Sequence, residues 1–133
     1  TTSSTTLVDI TGLSIALASG ATYEIEAMVT ATTSADTNGM QWGIQYTSTV
    51  SLIEATTIGS SSSTSASKTN RISALNTATT GSYLVTSSQS GGMILKGIVT
   101  TTGAGNLTLQ TDHPTSGTTT IRIGSFLKVT RIA

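Results

Sequence analysis

Two copies of a Ser-x-x-Lys pattern, Ser65-Ala66-Ser67-Lys68 and Ser125-Phe126-Leu127-Lys128, have the most direct claim to chemistry, because a lysine amine held against a serine hydroxyl can activate it as a nucleophile. That juxtaposition needs a helical turn. The first copy stands in a low-complexity run and the second in an alternating, strand-like one, so neither spacing brings the groups together. His113 is the only histidine, between Asp112 and Pro114. Neighbours in a turn do not create the base-and-orienter geometry of a hydrolytic triad, and no Gly-x-Ser-x-Gly elbow occurs. Asp36-Thr37-Asn38-Gly39 offers the oxygens and the bend of a calcium loop. The frame fails at its ends, where Ser34 takes the first position and Gln45 replaces the bidentate glutamate, so Asn-Gly reads as a hairpin turn. Glu24 and Glu26 project from one strand face without a histidine cluster, as a solvated or cross-strand-paired surface would. Thr1 as an N-terminal nucleophile would require helices and a base that the pattern does not supply. No catalytic, cofactor-binding or metal-ligating set is therefore expected, and no cofactor.

Two apolar faces are the remaining candidates. Met40 to Tyr46 alternates so that Met40, Trp42, Ile44 and Tyr46 share a side. Trp42 and Tyr46 could stack on a sugar, yet Met40 and Ile44 beside them favour a core or a subunit interface. Met93, Leu95 and Val99 make the second face, and an axis relating copies of the chain is expected along one face or the other.

Composition narrows the classes further. The chain has 133 residues, of which 50 are Thr or Ser and only 9% are charged, against the ~25% charged residues of an average protein. Its surface must be hydroxylated rather than ionic. Six basic residues balance six acidic ones without a run of either, which argues against nucleic acid or an anionic membrane as partner. No apolar stretch approaches the ~20 residues of a membrane span, so no membrane insertion is expected. Cysteine is absent. At this length a single domain, residues 1–133, can bury a core without disulfides.

The elements that must carry these residues read as strands. Met93 to Gln110 contains two alternating runs around Thr101-Thr102-Gly103-Ala104-Gly105, and predicts a long hairpin whose glycines supply the positive φ of the reversal. Thr5 to Ile10 and Leu13 to Leu17 are short runs separated by Thr11-Gly12. In Thr22 to Ala31, Tyr23, Ile25, Ala27 and Val29 make the apolar face while Glu24, Glu26 and Met28 face the other way. Val50 to Ile58, Arg71 to Leu75 and Ser82 to Thr86 are further strands. Residues 59–67 are nearly pure Ser, Thr and Ala and predict a mobile surface loop. Thr118 to Ile123 and Phe126 to Ile132 form a final strand interrupted at Gly124-Ser125. With no sustained helical period, the chain reads as all-β, with eight to ten strands in a sandwich or barrel.

Six stretches carry a resemblance. Leu7-Val8-Asp9-Ile10-Thr11-Gly12-Leu13-Ser14, Gly20-Ala21-Thr22-Tyr23-Glu24-Ile25-Glu26 and Asn38-Gly39-Met40 resemble the opening of a domain recurring in bacteriophage virion proteins. Ile94 to Val99, Gly103 to Gln110 and Ile121 to Val129 are similar to the closing strands of those domains. Glu24, Glu26 and the Ser-rich middle depart from the pattern. The resemblance implies a jelly-roll-like antiparallel sandwich that assembles as a homotrimer on the virion surface. Its role would be non-enzymatic, as capsid decoration or as the head of a tail fibre or spike. Other virion proteins, and a host surface glycan, are the partners it implies. A secreted carbohydrate-binding module or adhesin is the alternative that the composition also suits.

Overall fold

The computed structural model describes residues 5–34, 40–60, 67–79, 91–112 and 118–133. Among them are nine strands and no helix: β1 (Val8–Leu17), β2 (Thr22–Thr33), β3 (Gln41–Tyr46), β4 (Val50–Ser60), β5 (Ser67–Ile72), β6 (Gly91–Thr101), β7 (Gly105–Asp112), β8 (Thr119–Ile121) and β9 (Phe126–Arg131). Period-two alternation selects their faces. In β2, Tyr23, Ile25, Ala27, Val29 and Ala31 are buried while Glu24 and Met28 are exposed, as a strand covered on one side requires. β4 extends to Ser60 and β5 begins at Ser67, so part of the expected 59–67 loop is strand. Residues 61–66, together with the expected strand Ser82 to Thr86, lie outside the described residues.

The strands form two antiparallel sheets packed as a sandwich. The smaller has the order β1-β7-β3, and the larger has the order β5-β4-β6-β2 with β8 and β9 both pairing β2. β9 runs along Tyr23–Met28 and β8 along Ala31–Thr33, so together they make one broken edge strand. The break is at Gly124, whose φ is 97°. Ser125 stitches it, with Oγ donating to the Arg122 carbonyl and accepting from the Thr30 amide. In β1 the Thr11-Gly12 expectation becomes a bulge between Asp9 and Ser14, with Gly12 at φ 88°.

The expected hairpin across Thr101 to Gly105 does not form. β6 pairs with β2 and β4, whereas β7 pairs with β1 and β3, so the turn carries the chain from the larger sheet to the smaller. Both strands need their inward faces covered, and each finds two other neighbours, which a two-stranded ribbon could not supply. Gly103 and Gly105 are absent from the positive-φ glycines; their role is close approach. A Cβ on Gly105 would lie 2.9 Å from Ser48 Cβ, in the 47–49 crossing that also passes between sheets.

Three crossings meet at this end: 18–21, 47–49 and 102–104. Thr101 joins two of them, its Oγ1 lying 2.6 Å from the Ala18 carbonyl and 3.1 Å from that of Ala21. Thr102 and Gly103 donate their amides to the Thr49 carbonyl at 2.9 and 3.2 Å. The core between the sheets holds Trp42, Ile25, Met40, Ile44, Leu95, Leu107 and Leu109, all fully buried.

Candidate functional site

The five residues singled out as a candidate interface or ligand face all lie in that core. Trp42, Leu95 and Val99 are 0% exposed, Met93 2% and Tyr46 5%. β3 brings Trp42 and Tyr46 inward from one sheet, and β6 brings Met93, Leu95 and Val99 inward from the other. Neither set presents a free surface. The rings are closed to a sugar, and the Tyr46 hydroxyl donates to the Gly103 carbonyl at 2.6 Å, bracing the 102–104 crossing. Burial, and secondarily the nearby Tyr23 phenol, push the Tyr46 phenol above its ordinary range.

The polar candidates are placed as follows. Ser125 caps the edge break, and Lys128 reaches Glu26 Oε2 at 3.8 Å. Ser67 and Lys68 begin β5, so as successive strand residues they point to opposite faces. Ser65, His113, Asp36, Asn38 and Thr1 lie outside the described residues. Gln45 donates its amide nitrogen to Asp9 at 2.9 Å, in the orientation that satisfies its hydrogen bonds, and Gln110 Nε2 reaches Asp9 Oδ1 at 2.9 Å. That carboxylate is thus engaged by two amides. Among the described residues no three His, Cys, Asp or Glu side chains gather as a metal would need.

What period-two reasoning missed is the outer face of the larger sheet. The run Met93-Ile94-Leu95-Lys96-Gly97-Ile98-Val99 is apolar in both alternation registers, so it carries an outward set too. Ile94 and Ile98 are 51% and 40% exposed. Cross-strand register aligns Ile58, Ile94, Met28 and Phe126 in one row, each 41–51% exposed. The next row is Arg71, Thr56, Lys96, Glu26 and Lys128. Glu26 stands between two amines, with Lys96 Nζ 3.7 Å from Oε1. Beyond it Glu54, Ile98, Glu24 and Thr130 align. Arg71 grips Glu54 through both Nε and a terminal guanidinium nitrogen, the latter 2.6 Å from Oε2. This hydrogen bonding holds the Glu54 carboxyl below, and the Arg71 guanidinium above, their usual ranges. Two of the three glutamates are therefore tied to cations.

Leu52, Ile98 and Ile132, with Glu24 and Glu54 at the rim, line a shallow hollow of about 530 Å³ on this face. A second cleft, of about 540 Å³, lies between the β1 bulge and the 122–125 turn. Thr119 Oγ1 is buried at its wall with no hydrogen-bond partner among the described residues. Comparison with protein-family models, with curated proteins and with solved structures finds no match to this chain.

Proposed function

We propose that the chain is a non-enzymatic structural domain of a bacteriophage particle, displayed on the virion surface against capsid or tail proteins. There it decorates and stabilises the capsid or forms the head of a tail fibre or spike. It would act as a symmetric homo-oligomer, three copies being the number the resemblance implies. The observation that carries this reading is how the hydroxyl groups are used. Thr101, Ser125, Thr111 and Thr47 bond to backbone at crossings and strand ends, rather than collecting around a base or a nucleophile. A sandwich stitched in this way, low in charge and free of cysteine, suits a particle that must stay folded outside the cell.

Antibody raised against the chain and imaged on purified particles tests the placement. Labelling at capsid or tail positions is expected, and chain missing from purified particles by mass spectrometry would remove the reading. Polysaccharide cleavage by purified protein that Glu24→Gln abolished without unfolding would remove it as well.

A further inference from the structure

Among the described residues nothing covers the outer face of the larger sheet, and its side chains fall into rows that alternate in character. An apolar row, Ile58, Ile94, Met28 and Phe126, is followed by a charged row containing Lys96, Glu26 and Lys128. Leu52 and Ile132 close the face at the other end, 47% and 53% exposed. With Arg71, Glu54 and Glu24 included, three cations meet three carboxylates, so the face is neutral. A face that pairs aliphatic groups with balanced charge fits neither a strongly charged partner nor bulk water.

We infer that this face is a contact between copies of this chain. The inference rests on the reading of the chain as a self-assembling structural domain. The register itself is self-complementary. Consider a two-fold axis parallel to the strands and midway between β6 and β2. It lays β6 of one copy over β2 of the other and β4 over β9. Ile94 then opposes Met28, Ile58 opposes Phe126, Leu52 falls near Ile132, and Lys96 opposes Glu26. This is the isologous pattern in which one patch completes itself. The area is also adequate. β6 has 11 residues, so at ~3.4 Å per residue and ~4.8 Å between strands the four strands span roughly 37 by 19 Å, or about 700 Å² per copy. Stable interfaces bury ~800 Å² per partner.

The test compares Ile94→Glu with the unmodified chain by light scattering at high micromolar concentration, with circular dichroism as the check on folding. Ile94 is half exposed in the subunit, so the variant is expected to keep the wild-type spectrum. Each two-fold interface would bury the new carboxylate twice among aliphatic groups, and dissociation is expected to become at least about a hundredfold easier. Glu26→Lys should also dissociate the copies, and adding Lys96→Glu should restore association in part. A dimer that Ile94→Glu splits supports the inference, as does a trimer that it splits, since the face is then the contact and only the symmetry differs. A wild-type monomer overturns it, whether or not that monomer binds vesicles or another protein, and so does an oligomer that folded Ile94→Glu leaves intact. The two readings fail separately. Copies that split with Ile94→Glu but never label particles remove only the virion role, whereas a monomer found on particles removes only this contact.

Discussion

Ile94 and Leu95 are adjacent in the chain and opposite in environment, the first 51% and the second 0% exposed. Truncating them separates the two faces of β6. Leu95→Ala leaves a cavity between the sheets and is expected to destabilise the subunit by about 2–5 kcal/mol, while Ile94→Ala in the monomer should change it by only ~0.5 kcal/mol; urea unfolding measures both. Tyr46 offers a pH test. Its folded phenol titrates above the unfolded value, so the stabilisation is complete below about pH 10 and is lost as pH rises through the folded pKa. The phenolate can no longer donate to the Gly103 carbonyl. Tyr46→Phe should therefore lower stability at neutral pH by about 1 kcal/mol and remove this part of the alkaline loss. Glu54 runs the other way. Its lowered pKa contributes above the unfolded value and is lost as pH falls through the folded one, and Arg71→Ala should move the Glu54 titration seen by NMR back up toward the ordinary range.

At the scale of elements, the crossings decide the architecture. Thr101 sits 1% exposed where β6 ends, and its hydroxyl serves the 18–21 segment. Thr101→Val keeps the shape but takes from the Ala18 carbonyl its hydroxyl donor, while the Ala21 carbonyl keeps the Thr101 amide at 2.9 Å, and the change is expected to cost about 1–3 kcal/mol. Thr102→Val, which loses only an exposed contact to Thr49 Oγ1, should cost less, so equal losses by denaturant unfolding would argue against the stitched-crossing account. Gly97 belongs to the same logic. A Cβ there would sit 2.5 Å from both the Ala55 Cβ and the Glu54 carbonyl oxygen, backbone that cannot yield cheaply. Gly97→Ala should push β4 away from β6 and destabilise by about 1–3 kcal/mol.

For the molecule as a whole, β6 and β2 are flanked on both sides while β5 is an edge among the described residues. Hydrogen exchange should then be slowest at the centres of β2 and β6 and fastest along β5. Amides of β5 that exchanged as slowly as those of β6 would mean that something covers this edge. Far-ultraviolet circular dichroism should report less than about a fifth helix, where typical domains hold roughly a third.

Local alternation was enough to show an all-β chain and the apolar face of β2, but not the bounds of β5, which runs over Ser67–Ile72 where the pattern suggested Arg71 to Leu75. Alternation put Tyr23, Ile25 and Val29 on one face and Met40, Trp42, Ile44 and Tyr46 on another, because a period of two needs only local geometry; that the second set fills the core rather than a subunit interface appears only in the packed sheets. Gly124-Ser125 likewise announced the interruption of the last strand, while its place at the edge beside β2 came from the sheet pairing. The partner of each strand was decided by tertiary structure alone. Two runs five residues apart look like a hairpin from within, but Met93 to Val99 and Leu107 to Leu109 each have an apolar face that needs a different sheet across the core, and that demand acts between distant segments. The same limit hid the outer face. Where Ile94 and Ile98 alternate with Leu95 and Val99, both registers are apolar, and which set faces outward was decided only when the second sheet packed onto the other.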